Sequence, residues 1–153
     1  MIRLFILQII IIFLFLPSNS IATNQNVFDD AKIYFEKKDY NQSKFLFQKF
    51  LVFNPKDYLS YLYLAKIYKQ EDNKNETEKN LNTTLLLNPK NEEALFMLIE
   101  LQLERSNFSK AKELNERFLL ICSKLCNNKS IIAKKLKILN PKNPQSNEEI
   151  HYK

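Results

Sequence analysis

Asn54-Pro55-Lys56-Asp57 and Asn88-Pro89-Lys90-Asn91 are near-identical tetrads whose prolines lie 34 residues apart. Between them run two stretches of apolar periodicity, Tyr58–Gln70 and Glu76–Leu87, parted by the polar segment Glu71-Asp72-Asn73-Lys74-Asn75. Periodicity interrupted in this way predicts helix, turn, helix. Proline ends the second helix of each unit, because it lacks the N–H and disfavours helical geometry in the residue before it. Asp57 and Asn91 then stand where an N-cap is needed. A fixed spacing of this length marks stacked supersecondary units.

The same register extends over the flanking chain. In steps of 34, Val27, Tyr61 and Leu95 align, as do Ala31, Ala65 and Ile99. Tyr34 and Tyr68 align with Gln102; Ser43 and Thr77 align with Ala111; Phe47 aligns with Leu81, and Phe50 with Phe118. The pattern resembles the tetratricopeptide repeat. That repeat is a helix pair with large apolar residues at its fourth and eleventh positions, small ones at its eighth and twentieth, and proline near its end. The resemblance covers roughly Asn24 to Cys122 as three units, about 24–57, 58–91 and 92–122. It implies an all-α, helix-turn-helix solenoid of three hairpins. Several positions depart from the pattern. No Trp is present, Asp30 stands at an apolar position, Gln102 replaces Tyr, Asn115 replaces an apolar residue, and Ser123 replaces the third proline. With no glycine in the chain, Asn is expected at left-handed backbone positions.

Predicted helices of the first unit are Val27–Lys37 and Asn41–Phe53. The third unit pairs Ala94–Leu103, led by Glu92 and Glu93 at the dipole-favoured first turn, with Phe108–Ile121 capped by Ser106 or Asn107. A last amphipathic helix, Ile131–Leu139, puts Ile132, Leu136 and Leu139 on one face. Stacked units leave an apolar end that needs covering, and segment 123–139 is read as that cap. Residues 140–153 hold two prolines and few apolar side chains, and are read as a disordered basic tail.

The first 22 residues read as a targeting segment. Arg3 precedes the apolar run Leu4–Leu16, then Pro17 breaks the helix and Ser20-Ile21-Ala22 offers a cleavage site. An uncleaved membrane anchor is the alternative, although a spanning helix needs about 20 apolar residues. Either way the repeats are expected outside the cytosol, in a periplasmic or secreted setting or anchored facing outward. Cys122 and Cys126 are the only cysteines. Four residues of helix span about 6 Å, within disulfide reach, and an exported chain favours that pairing over free thiols.

The net charge of +6 is unevenly spread. Thr23 to Cys122 holds 15 basic and 15 acidic residues, whereas Ser123 to Lys153 holds seven Lys and two Glu. Balanced repeats without a basic stripe argue against nucleic-acid binding. The membrane is expected as a partner only transiently, or through an uncleaved N-terminus. Enzymatic chemistry finds no support either. The chain has no glycine for a phosphate loop, its single His151 lies in the tail, and the acidic pairs fit helix starts. No metal site or cofactor is expected.

The resemblance implies that first helices line a concave groove. Its fifth positions are Phe28, Leu62 and Phe96; its ninth are Lys32, Lys66 and Glu100; its twelfth are Phe35, Lys69 and Leu103. An apolar row flanked by mixed charge suits an extended or helical peptide of another protein. The alternative is that Phe28, Leu62 and Phe96 are core. Two classes therefore stand: an exported adaptor in envelope assembly or secretion, or a structural subunit held at a membrane by its N-terminus.

Overall fold

The computed structural model describes residues 24–139. The segments read as a targeting sequence and as a disordered tail lie outside the described residues. Seven α-helices follow in order: α1 (Asn24–Glu36), α2 (Tyr40–Phe53), α3 (Tyr58–Gln70), α4 (Lys74–Leu87), α5 (Glu92–Glu104), α6 (Phe108–Ile121) and α7 (Lys129–Leu139). A single 3₁₀ turn, Cys126–Asn128, precedes α7. Three hairpins, α1–α2, α3–α4 and α5–α6, stack in sequence, and α7 packs on the last of them.

The two kinds of turn alternate. Within each hairpin the first helix ends on a residue of positive φ: Lys38 at 62°, Asp72 at 52° and Ser106 at 57°. These three are 34 residues apart. None is Asn, contrary to the expectation from composition. The asparagines and an aspartate occupy the next position instead. Asp39, Asn73 and Asn107 donate their backbone N–H five residues back, to Tyr34, Tyr68 and Gln102, at 2.9, 2.9 and 2.8 Å. That closes a Schellman-type end. The same three side chains accept from Gln42, Glu76 and Lys110 N–H and so start the next helix. One residue therefore ends one helix and caps another; in the first two hairpins the cap falls nearer the turn than apolar periodicity alone predicts, while Asn107 caps Phe108–Ile121 as expected. Helix α4 accordingly begins at Lys74, two residues before the predicted Glu76.

Between hairpins the proline tetrads form β-turns. Asn54 and Asn88 carbonyls accept from Asp57 and Asn91 N–H at 3.0 and 3.1 Å, with proline at the second position that fixes φ. Asp57 and Asn91 then cap α3 and α5, accepting from Ser60 and Ala94 N–H at 2.7 and 2.8 Å.

Small residues bring paired helices together. Ala31 and Ser43 are fully buried, and the Ser43 hydroxyl donates to the Ala31 carbonyl at 2.8 Å across the first hairpin. Helix α4 buries a polar face of Thr77, Asn80 and Thr84. Each of these donates to a carbonyl four residues earlier, at 2.8 to 2.9 Å, so none of the three is buried as a lone donor.

The core divides at the second hairpin. Phe28, Ala31, Phe47 and Phe50 of the first hairpin meet Leu64 and Ile67 of α3. Leu62, Ala65, Leu81 and Leu85 of the second meet α5, α6 and Ile132 of α7. Leu64 and Leu98 are thus buried against the preceding hairpin. Asp30, at the equivalent place in α1, has no preceding hairpin among the described residues and is exposed, which explains why a charged residue stands there.

Candidate functional site: the face of the first helices

Helices α1, α3 and α5 share one face. Phe35 of α1 meets Tyr63 of α3 edge-on, with ring centroids 5.1 Å apart. Lys66 and Lys69 of α3 reach Glu93 and Glu100 of α5 at 2.8 and 3.1 Å. Helix α7 joins the same face through Lys135, whose Nζ lies 3.3 Å from the second oxygen of Glu100. One carboxylate therefore ties three helices, α3, α5 and α7.

The predicted groove residues separate into two groups. Phe28, Leu62 and Leu103 are buried in the packing between helices. Phe28 packs against Phe47 and Phe50, with centroids 5.6 and 5.3 Å away. Phe35 and Phe96 are half-buried, each with an edge toward the core. Lys32, Lys66 and Glu100 are also partly covered, whereas Lys69 is exposed. The structure joins Lys66, Lys69 and Glu100 into ion-pair ladders with Glu93 and Lys135, while Lys32 stays on α1, its Nζ 5.9 Å from the Phe28 ring.

Three members of this face escaped the sequence reading. Tyr63 stacks on Phe47 at 4.9 Å and lies beneath the Lys66 ammonium, 5.0 Å from the ring centroid. It sits one residue past the expected apolar row. Glu93 reads from sequence as a helix-start acid, yet it also pairs with Lys66. Lys135 belongs to the capping helix, whose arrival on this face no linear pattern signals.

The opposite end of the third hairpin is closed differently from the first two. Cys122 and Cys126 form a disulfide with Cα atoms 5.2 Å apart. The loop that it closes wraps the Glu92 carboxylate, which accepts from Ser123 Oγ at 2.7 Å and from the Lys124 and Leu125 N–H groups at 3.1 and 2.9 Å. The Leu125 N–H, with help from Ser123, holds this carboxyl far below its ordinary value of 4.5, at about 2. Where proline and an Asx cap order the first two turns, a disulfide and a glutamate order the third.

The buried Gln102 anchors a partly covered polar relay of its own. Its Nε2 donates to Glu78 at 2.8 Å and its Oε1 accepts from Asn107 at 3.0 Å. Arg105 pairs with the same Glu78, so the relay fastens α4 to the end of α5. Among the described residues no cluster of His, Cys, Asp or Glu could hold a metal ion, and no helix is long and apolar enough to cross a membrane.

No protein-family profile and no curated protein sequence matches the chain. Solved structures do. The type III secretion translocator chaperone SycD of Yersinia enterocolitica superposes with a TM-score of 0.69 at 16% identity, over 85% of this chain and 92% of that one. SycD in complex with a peptide of the translocator YopD gives 0.68 at 14% identity, over 81% and 98%. The TPR2B domain of yeast Sti1 in complex with an Hsp70 peptide gives 0.65 at 16%, over 78% and 98%. These are tetratricopeptide-repeat structures, and the likeness establishes that fold for this chain: an all-α solenoid of three hairpins with a C-terminal capping helix.

Proposed function

We propose that this chain is a non-catalytic protein-interaction module that holds an extended or helical segment of another protein against the α1–α3–α5 face. The observation that carries the reading is the set of half-exposed aromatic rings on the first helices, Phe35 and Tyr63 in edge contact and Phe96 on α5, bordered by the Lys66–Glu93 and Lys69–Glu100–Lys135 ion pairs. Aromatic anchors beside adaptable charges are what a bound peptide needs. Phe28, Leu62 and Leu103 form the packed floor. Phe35, Phe96, Lys32, Lys66, Lys69 and Glu100 present the contacts. SycD and Sti1, which share the fold, were captured with peptides, and this supports peptide binding here.

The apolar run Leu4–Leu16 supports an exported protein that works in the cell envelope or in secretion. The test is affinity capture from the native envelope with three forms of the chain: wild type, a Phe96→Ala/Lys69→Glu variant, and an outer-face Lys112→Glu control. A protein retained by wild type and control but lost from the groove variant supports the reading. Undiminished capture by the groove variant, folded by circular dichroism, overturns it.

A further inference from the structure

Three exposed aliphatic side chains recur at one register position. Val52, Leu86 and Leu120 lie in the last turns of α2, α4 and α6, 34 residues apart. They are 73%, 80% and 86% exposed. The neighbouring Phe50, Leu85 and Phe118 already supply the buried side of those turns, so the outward trio adds nothing to the core. Single exposed apolar residues are ordinary. Repetition of one at the period of the fold is different, because stacking sets equivalent positions in a line along one edge.

A second line runs beside the first. Lys56, Lys90 and Lys124, each four residues further on, stand in the turns that follow these helices, again 34 apart and exposed. None of them pairs with a carboxylate among the described residues. Elsewhere in the repeats Lys44, Lys66, Lys69, Lys74, Lys79 and Lys110 have acidic partners, whereas Lys32, Lys37, Lys38, Lys49 and Lys112 are scattered without an ion pair. What sets the lysines of this edge apart is that they recur at the repeat period beside the aliphatic row.

We propose that this edge, opposite in chemistry to the paired-charge face described above, docks on an anionic lipid surface. A protein partner gains most from a pocket that seats its anchors. A recess lined by Lys69, Thr77, Met97 and Glu104 among others involves none of the edge residues. A lipid interface needs no pocket. It accepts singly projecting aliphatic side chains at headgroup depth while lysines meet the phosphates. The edge leaves the α1–α3–α5 face free, so the inference is independent of what that face binds.

The chain has no tryptophan, so Leu86→Trp provides a single reporter in the full chain. Vesicles of phosphatidylcholine alone and of phosphatidylcholine with phosphatidylserine are the probes, each with and without brominated acyl chains. The expected result is a blue shift and bromolipid quenching on the anionic vesicles only, with none for Leu59→Trp on α3. Since each lysine near an anionic surface is worth about fivefold in affinity, Lys56→Gln/Lys90→Gln/Lys124→Gln in the reporter background should weaken the signal by about a hundredfold. Val52→Trp repeats the measurement if Leu86→Trp fails to fold. An unquenched reporter overturns the proposal. So does equal quenching on neutral vesicles or in the triple variant, or at Leu59→Trp, which would mean the N-terminal apolar run alone holds the chain. A shift without lipid that grows with protein concentration would assign the edge to self-association, and overturns it too.

Discussion

The Glu92 carboxylate accepts the Leu125 backbone N–H at 2.9 Å, joining the first turn of α5 to the loop that follows α6. Two further donors, Ser123 Oγ and the Lys124 N–H, converge on the same group. Its pKa is therefore lowered from 4.5 to about 2. A carboxyl whose folded pKa is depressed stabilises the fold above its unfolded value and loses that contribution as pH falls through the folded one. Wild type should consequently lose stability between about pH 4.5 and 2, and Glu92→Gln should flatten that part of the profile. Urea midpoints measured across this range check it; parallel acid profiles for the two proteins would contradict the assignment.

Lys38, Asp72 and Ser106 hold left-handed backbone at three equivalent helix ends without glycine. A Cβ in that region costs about 1–2 kcal/mol, part of which glycine gives back as extra entropy of the unfolded chain. Each single glycine substitution should therefore raise stability by about 0.5–1 kcal/mol. Far apart in the stack, the three should add nearly linearly. Denaturant titration of the singles and the triple measures this, and a destabilised triple would show that these side chains make contacts worth more than the strain.

Asn115 stands in α6 where the other hairpins bury Phe47 and Leu81, and its Oδ1 is buried without a hydrogen-bond partner. Such an atom costs about 1–3 kcal/mol. Asn115→Leu should recover a good part of that, seen as a higher thermal midpoint, whereas Asn80→Leu should lower it because Asn80 already donates to the Glu76 carbonyl at 2.8 Å. Equal responses at the two positions would mean that the missing partner is supplied by solvent.

The fold was legible because its determinants are local and repeated. Proline at 55 and 89 and small residues at 31, 65, 43, 77 and 111 act within one hairpin, and a period multiplies their signal. The left-handed residues were misjudged because geometry is imposed by the helix-end hydrogen bonds, which lysine, aspartate and serine tolerate at a cost. The site was less legible. Whether Phe28 or Phe35 faces out depends on which neighbouring helix covers it, and Tyr63 is decided by contacts with α1 and α2, far away in sequence. Glu92 looked like a dipole partner because its true donors arrive 31 to 33 residues later.

The disulfide and the Glu92 clamp should prove to be one device. Cys122 and Cys126 close a loop so short that its entropic stabilisation is about 2 kcal/mol in the chain-entropy estimate. Its larger consequence is to pre-position the Ser123, Lys124 and Leu125 donors around the carboxylate. With Cys122→Ser/Cys126→Ser the loop must be ordered by the glutamate alone. The Glu92 pKa should then move back toward its ordinary range and the acid dependence below pH 4.5 should shrink. A double-mutant cycle with Glu92→Gln isolates the coupling. The combined variant should lose less than the sum of its parts, since either change alone already loosens the clamp. Strict additivity, with the Glu92 titration unmoved in the cysteine-free protein, would show that the backbone of the loop is held by something other than its covalent closure.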